Sequence, residues 1–378
     1  ILYIKFVLFK MFINKKKFQK YFKWVSYKIF KIIYGDINGK TSNLDNDDIN
    51  LIKVKIGDIF YKIFHCISCS FYTDRIHDSA VIKKNRIVDG ASFQLRENTN
   101  VNCLENLIIK NGTPRIRKKI KGTVFSLLTG GGGNKNYWHW LFDVLPRIKI
   151  FQDSILSKHP IDYYLFPSLS KNFQIETLDI LNINKDKRLS SKSYRHFSAD
   201  QIIVTSHPYT LLNDPEQDSL QIPIWLSDFL RLNFLKRCLQ ISKIKNFPKN
   251  IYINRKDGTA LRYIINNKEV ENFLERNKFS NLTMSDFSFS DQVALFFNAK
   301  KIIGLHGAGF ANIVFCKPGT KIIEIRPITA GDVIKNLALS NRLNYHDISC
   351  ITKTINYNNQ SGDIRINLEQ LESAIVSS

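Results

Sequence analysis

The stretch GLHGAGFANIVFCKPGT, residues 304–320, joins a short apolar run to a second run with helical spacing. Between the runs stand His306, Gly307, Ala308 and Gly309, one imidazole beside three residues without bulky side chains. Such a turn at the carboxyl end of a strand leaves backbone N–H groups free at the start of the next helix, which favours an anion. The pattern indicates an anion site to which the imidazole adds a donor. The alternative is a tight packing turn whose histidine bonds to the backbone.

Strand-like and helix-like runs alternate on both sides of this turn. The strands are NIYINR, NLTMSD, KKIIGL, TKIIEIRP and YHDIS, and the runs between them have helical spacing. Alternation with short loops is typical of a parallel sheet covered by helices on both faces. The first half contains similar strands, TVFSLL, IDYYLFP and QIIVTS, and mostly helical residues 213–249 separate the halves. We therefore expect an α/β fold of two domains, with ligands at the carboxyl ends of the strands.

Length and charge limit the classes of function. The chain has 378 residues, 44% of them hydrophobic, and 55 Lys and Arg against 33 Asp and Glu give a net charge of +22. This charge predicts anionic partners: phosphorylated substrates, nucleic acid or an anionic membrane surface. A nucleic-acid binder is disfavoured because the cations beyond residue 34 are dispersed. Six scattered cysteines, with one Cys-x-x-Cys pair, predict reduced thiols and no metal site.

Residues 1–34 form a basic segment with nine lysines and no acidic residue. At helical spacing this segment has an apolar face and a basic face. The apolar face comprises Phe18, Phe22, Val25, Ile29 and Ile32, and the basic face comprises Lys16, Lys20, Lys23 and Lys31. Such a helix lies in the interface of an anionic membrane, or else it packs on the domain as a first helix.

Three charged residues follow strands of the second half. Arg255 ends NIYINR and Arg262 lies shortly after it, so the pair predicts a diphosphate clamp that faces the His306 turn. The alternative is a pair of surface arginines. Glu324 closes the strand TKIIEI, where a carboxylate accepts hydrogen bonds from ribose hydroxyls. The alternative is an ion pair with a cation such as Arg326.

A second histidine lies in the first half, in the run NYWHWLFDVLPR. His139 and Asp143 are four residues apart, so on a helix they share a face and touch. A carboxylate that orients an imidazole and supports its protonated form makes a general base. Trp138 and Trp140 flank the histidine, and they either stack on a sugar ring or belong to the core.

Together, four segments resemble glycosyltransferase family 61: NYWHWLFDVLPR, YINRKDGTALR, FSDQVALFFNAKKIIGLHGAGFANIVFCKPGTKIIEI and NLALSNRLNYH. The resemblance runs over about residues 123–348. It implies a GT-B architecture, in which two Rossmann-like domains with parallel sheets face an inter-domain cleft. It also implies inverting transfer from a nucleotide sugar without an obligatory metal. We expect a segment and linker at 1–50, an acceptor-side domain at 51–220 and a nucleotide-sugar domain at 221–378.

The resemblance also assigns site residues. In the first half it matches Asn136, His139 and Asp143, and we expect His139, oriented by Asp143, to be the base. In the second half it matches Arg255, Arg262, Asn266, Glu269, His306, Gly307, Gly309, Asn312 and Glu324. We expect the nucleoside diphosphate to bind at Arg255, Arg262, His306, Gly307, Ala308, Gly309, Asn312 and Glu324. We expect the rest of the cleft to include Asn136, Trp138, Asn266 and Glu269.

The expected function is sugar transfer to a glycan or lipid-linked saccharide, in capsular or other surface polysaccharide synthesis. The basic first helix and the reduced thiols predict a cytoplasmic enzyme, peripheral at the inner membrane face. No cofactor, metal or nucleic-acid partner is expected. The alternative is a non-catalytic protein of the same fold that binds sugar nucleotides or glycans, because function depends on the site and not on the fold.

Overall fold

Two β-sheets, one in each half of the chain, organise the computed structural model. It describes residues 15–75, 78–96, 99–100, 103–128, 135–209, 222–256, 262–352 and 362–377. The first sheet contains β1 (Lys40–Thr41), β2 (Ile49–Ile56), β3 (Ile59–Arg75), β4 (Asp78–Lys83), β5 (Arg86–Val88), β6 (Phe93–Arg96), β7 (Thr99–Asn100), β8 (Lys118–Ser126), β9 (Tyr163–Phe166), β10 (Arg188–Ser190) and β11 (His196–Thr205). The second contains β12 (Asn250–Ile253), β13 (Ser280–Leu282), β14 (Lys301–Leu305), β15 (Lys321–Pro327) and β16 (Asn344–Cys350).

The α-helices lie before, between and after these strands. They are α1 (Lys15–Tyr34), α2 (Leu107–Asn111), α3 (Tyr137–His139), α4 (Pro146–Gln152), α5 (Asn172–Ile180), α6 (Ile224–Leu230), α7 (Lys236–Ile241), α8 (Asn267–Arg276), α9 (Phe289–Asn298), α10 (Val333–Ser340) and α11 (Leu368–Val376). Two π-helical turns join neighbouring helices, Trp140–Val144 between α3 and α4 and Arg231–Leu235 between α6 and α7. The predicted α/β fold is confirmed.

The second sheet has the predicted parallel arrangement. Its order is β13-β12-β14-β15-β16, and every neighbouring pair is parallel. All seven residues of β15 are buried, as expected for a strand with helices on both faces. The predicted helix after β14 is a 3₁₀ helix, Ala308–Phe315, which is tighter than an α-helix.

The first sheet is mixed, so the expectation of a parallel sheet in the first half is wrong in part. β8, β9, β10 and β11 pair in parallel, but β3 pairs antiparallel with β2, β4 and β11. Short turns are the physical reason, since a two-residue loop joins only antiparallel strands. Lys84 and Asn85, with φ of 46° and 56°, form such a turn between β4 and β5.

One apolar core connects the two halves. It includes Tyr61 of the first sheet, Trp140 of the π-helical turn, Phe289 of α9 and Ile302 of the second sheet, all almost fully buried. The boundaries predicted at residues 50 and 220 stay predictions, and residues 1–14 and 210–221 lie outside the described ranges. Among the described residues, no helix combines the length and the apolar character needed to cross a membrane.

A carboxylate of the first half caps a helix of the second. Glu176 on α5 accepts hydrogen bonds from the backbone N–H groups of Phe289, at 2.7 Å, and Ser290, at 3.0 Å. These N–H groups begin α9 and have no acceptor within the helix. The negative charge of the carboxylate is also attracted by the positive end of the helix dipole at this N-terminus. The contact fixes α9 against α5.

We expect Glu176→Ala to lower the free energy of unfolding by about 2 kcal/mol, because buried N–H groups of α9 lose a charged acceptor. Urea denaturation measures this change. Glu275→Ala on the exposed side of α8 is the matched control and should leave stability close to wild type. Equal stability of the two variants would show that the cap does not hold the halves together.

Candidate active site

A change of helix type positions the first histidine. Asn136 begins α3, since its Oδ1 accepts the N–H of Trp138 at 2.9 Å. After His139 the α-helix becomes a π-helical turn, in which the N–H of Leu145 donates to the carbonyl of Trp140 at 3.1 Å. Pro146 follows directly, and it has no N–H to continue the α-helical pattern. The helix therefore changes its pitch just before this proline.

His139 and Asp143 form the predicted pair. The Nδ1–H of His139 donates to Oδ2 of Asp143 at 2.7 Å. The other carboxylate oxygen, Oδ1, accepts the hydroxyl of Tyr209 at 2.7 Å, and Nε2 of His207 lies 3.8 Å from Oδ2. Asp143 is buried, whereas the His139 side chain is 32% exposed. The carboxylate is therefore enclosed, and the imidazole is the accessible member of the pair.

Charge and burial act in opposite directions on this pair. Burial alone would raise the pKa of Asp143, but the charge and hydrogen bond of His139, with His207, hold it well below its usual value. Burial alone would lower the pKa of His139, but the Asp143 charge and hydrogen bond raise it overall. Asp143 thus stays ionised and fixes the proton on Nδ1, which leaves Nε2 of the neutral ring to accept a proton.

Arg147 contacts the segment that carries Asp143, and the sequence did not point to it as a site residue. Its side chain is fully buried; Nε donates to the carbonyl of Asp143 at 3.0 Å and Nη1 to the carbonyl of Thr205 at 2.7 Å. Burial lowers its pKa to about 10, against the raising effect of Asp143. The signal was local, since Arg147 closes the motif NYWHWLFDVLPR one helical turn after Asp143. Tyr209 and His207 gave no such signal because they are distant along the chain.

In the second half, two arginines converge on one carbonyl group. Nη1 of Arg255 and Nη1 of Arg262 both donate to the carbonyl oxygen of His306, at 2.9 and 2.7 Å. Burial and the charge of Arg255 lower the pKa of Arg262 to about 10. Two cations thus meet at a neutral acceptor, an arrangement that an anion stabilises. The structure brings the predicted clamp residues to the His306 turn.

The glycines of the turn have two separate roles. A Cβ added at Gly307 would lie 2.3 Å from Nη1 of Arg255, so this glycine makes room for the guanidinium group. A Cβ at Gly309 would lie 3.3 Å from Ile253, and one at Gly304 would lie 3.1 Å from the Phe310 ring, which are close packing contacts. Close packing therefore accounts for Gly304 and Gly309, and Gly307 leaves space for Arg255, while the anion site at this turn stays a prediction.

The backbone of the turn offers donors after His306. The N–H of His306 itself donates to the carbonyl of Ile325 at 2.7 Å, and the first bond of the 3₁₀ helix runs from Phe310 N–H to the carbonyl of Gly307 at 3.1 Å. Within the part of the chain that the structure describes, the N–H groups of residues 307–309 have no acceptor. The turn therefore leaves these three N–H groups open as donors, whereas the N–H of His306 is already used.

The imidazole of His306 is held by Glu324. Its Nδ1–H donates to Oε1 of Glu324, and the hydroxyl of Tyr345 donates to Oε2 at 2.6 Å. His306 is 3% exposed and Glu324 is fully buried on β15. Both carboxylate oxygens are thus engaged inside the protein, so the expectation that Glu324 accepts ribose hydroxyls does not fit this geometry. Glu324 orients His306 instead.

Asn312, predicted to bind the nucleotide sugar, lies between the two halves. Its Oδ1 accepts the hydroxyl of Tyr137 at 2.6 Å, and its Nδ2 donates to Oε1 of Gln292 at 2.9 Å. Its side chain is fully buried. Asn312 therefore connects α3, which carries His139, to the 3₁₀ helix that follows His306, and this geometry gives it a structural role.

The other predicted cleft residues have structural contacts. Trp138 is buried and packs on Phe142 with ring centroids 4.6 Å apart, which fits the core alternative. Asn266 exchanges hydrogen bonds with the backbone of Ile366, at 2.9 and 3.0 Å, and thereby holds the segment before α11. Glu269 accepts a bond from Asn266 at 3.2 Å.

A comparison with known proteins identifies a family. The family model described as Glycosyltransferase 61 matches residues 137–323, a span that contains both the His139 pair and the His306 turn. The resemblance to glycosyltransferase family 61 is thereby confirmed, and it indicates glycosyltransferase activity in general with a sugar donor and an acceptor. A search of the curated proteins finds no match.

We expect Asp143→Asn to reverse the direction of the His139 pKa shift. The variant loses the charge that raises this pKa, and burial, which lowers it, then dominates. In an NMR titration of the ring nitrogens, the pKa of His139 should lie above the ordinary histidine value in the wild type and below that value in the variant. Asp153→Asn, at the end of α4, is the control and should leave the titration unchanged. An unchanged pKa of His139 in Asp143→Asn would contradict the pairing of these two side chains.

Proposed function

We propose that this chain, which matches the glycosyltransferase 61 family over residues 137–323, is an inverting enzyme that moves a sugar from a nucleotide-sugar donor to an acceptor hydroxyl. One observation carries the proposal: the partly buried hydrogen bond between Tyr137 and Asn312 links a His–Asp pair to a turn with two arginines. Such a site supplies a base on one side and anion donors on the other. We place both in the cleft of a GT-B architecture.

His139 would act as the general base. Its Nε2 takes the proton of the acceptor hydroxyl while that oxygen forms a bond to the anomeric carbon of the sugar. The bond from this carbon to the diphosphate oxygen breaks on the opposite face, so the anomeric configuration inverts. Asp143 stabilises the imidazolium ion that results, and its two engaged oxygens keep the ring in place.

Arg255, Arg262 and the turn would stabilise the leaving group. Negative charge grows on the diphosphate as the bond breaks, and donors fixed in advance stabilise that charge most. The two guanidinium groups and the N–H groups of residues 307–309 provide such donors. The guanidinium groups neutralise the diphosphate, which supports a reaction that does not depend on a metal.

Thiols and charge support a cellular setting for this activity. All six cysteines, each within the described ranges, are free and buried, which fits a reducing compartment. We propose a cytoplasmic enzyme at the inner membrane face, where lipid-linked saccharides are elongated into capsular or other surface polysaccharide. A glycan or lipid-linked saccharide is the proposed acceptor.

Release of free nucleoside diphosphate from a panel of sugar nucleotides tests the function. We expect release with at least one donor and a higher rate when saccharide acceptors are added. His139→Ala should lower kcat by about 10²- to 10⁴-fold and leave the donor Kd near wild type, because the base acts after binding. Donor binding without release by the wild type would instead show a non-catalytic sugar-nucleotide-binding protein.

The two glycines of the turn test the leaving-group site. Gly307→Ala places a methyl group against Nη1 of Arg255, whose flexible end can move, so the fold survives but the guanidinium leaves its position. We expect a loss in kcat/KM of about a hundredfold, close to that of Arg255→Ala. Gly309→Ala, with its milder contact to Ile253, is the control and should stay near wild type. Equal values for the two glycine variants would exclude Arg255 from the site.

A further inference from the structure

The first helix, α1, turns apolar side chains outward. Phe22, Ile29 and Ile32, which the sequence places on one face, are 65%, 49% and 87% exposed. Three neighbours on the outer side are also exposed: Tyr21, Trp24 and Ile33. We call these six residues the outer face of α1. Such a concentration of large apolar side chains on one surface marks an interaction site.

The opposite side of α1 holds the helix on the first sheet. The ring of Tyr34 packs edge-on against His196 with centroids 4.9 Å apart, and its hydroxyl accepts the N–H of Arg117 at 2.9 Å. The Arg117 guanidinium lies 4.8 Å above the same ring. The helix therefore does pack on the domain, but through a different face from the apolar one. Its outer face is presented in a fixed orientation.

The helix that carries the outer face is rich in positive charge. Helix α1 contains seven lysines and no acidic residue. A cavity of about 330 Å³ adjoins the end of the helix, and its lining includes Lys84, Arg117 and Lys119, with Asp200 as the acidic member. Arg117 connects the cavity to the end of the helix, since it contacts Tyr34 and lines the cavity. On α1 itself, Lys28 lies beside the outer face, with its Nζ 5.8 Å from the centroid of the Trp24 ring.

We propose that this surface docks on an anionic lipid bilayer. The outer face of α1 would lie in the interfacial layer, with its apolar side chains among the upper acyl segments. Lys28 of the helix, with Lys84 and Lys119 of the cavity, would lie among anionic head groups, which attract basic segments near the surface. The combination of apolar area with positive charge favours this partner over a second copy of the chain, because two copies would bring like charges together.

Vesicle co-sedimentation of the full chain tests the proposal. We expect binding to vesicles of phosphatidylcholine with about 30% phosphatidylglycerol, and much weaker binding to phosphatidylcholine alone. Binding should fall when salt rises from about 0.05 M to about 0.5 M, because salt screens exposed charges. No binding to the anionic vesicles, or equal binding to both kinds, would overturn the proposal.

Variants separate the outer face from general hydrophobicity. A triple alanine variant of the outer face should bind anionic vesicles at least about tenfold more weakly, because it removes most of the inserted apolar area. The substitutions are Phe22→Ala, Ile29→Ala and Ile32→Ala. The matched control replaces exposed apolar residues elsewhere and should bind as wild type does: Leu44→Ala, Ile155→Ala and Leu232→Ala. An equal loss of vesicle binding in the two triple variants would show that the outer face of α1 is not the membrane contact.

Charge variants test the cavity in the same assay. Lys84→Gln with Lys119→Gln should weaken binding severalfold, whereas Lys53→Gln with Lys55→Gln on β2 should not. Light scattering distinguishes the rival occupant: a wild-type dimer that the outer-face triple separates would assign this face to a second copy. Nucleoside diphosphate release from a soluble donor should be the same in all these variants, so a failed membrane test leaves the proposed activity untouched.

Discussion

The partly buried hydrogen bond from the Tyr137 hydroxyl to Oδ1 of Asn312 joins the two halves of the site. Tyr137 lies two residues before His139, and Asn312 lies six residues after His306. This contact therefore links the two histidine-bearing turns directly. The bond lies beside a core that both halves share, and a donor left without its acceptor there would cost about 1–3 kcal/mol.

Each half orients its histidine in the same way. Asp143 binds His139 through one oxygen and Tyr209 through the other, and Glu324 binds His306 and Tyr345 in the same manner. Exposure separates the roles of the two imidazoles. His139 is about one third exposed and can reach a substrate, whereas His306 is almost fully buried. The two arginines donate hydrogen bonds to the carbonyl oxygen of His306 and not to its ring.

Local patterns predicted much of this arrangement. The four-residue spacing of His139 and Asp143, the alternation around residues 250–350 and the arginines near His306 were all visible in the sequence. Tyr209 and Tyr345 were not, because they reach their carboxylates through the fold. Glu324 was predicted to bind ribose hydroxyls, because the sequence does not show that the buried strand β15 directs this carboxylate toward His306. The antiparallel pairing of strands along residues 49–88 was not predicted, because a β-prone run does not show which neighbour it pairs with.

A structure of the protein with a bound nucleoside diphosphate would show directly whether the two halves form one site. We expect the phosphates to lie within hydrogen-bond distance of Arg255 or Arg262 and of the N–H groups of residues 307–309. It also predicts that Nε2 of His139 faces the open side of the same cleft. A nucleotide bound elsewhere, with both arginines still on the His306 carbonyl alone, would contradict it.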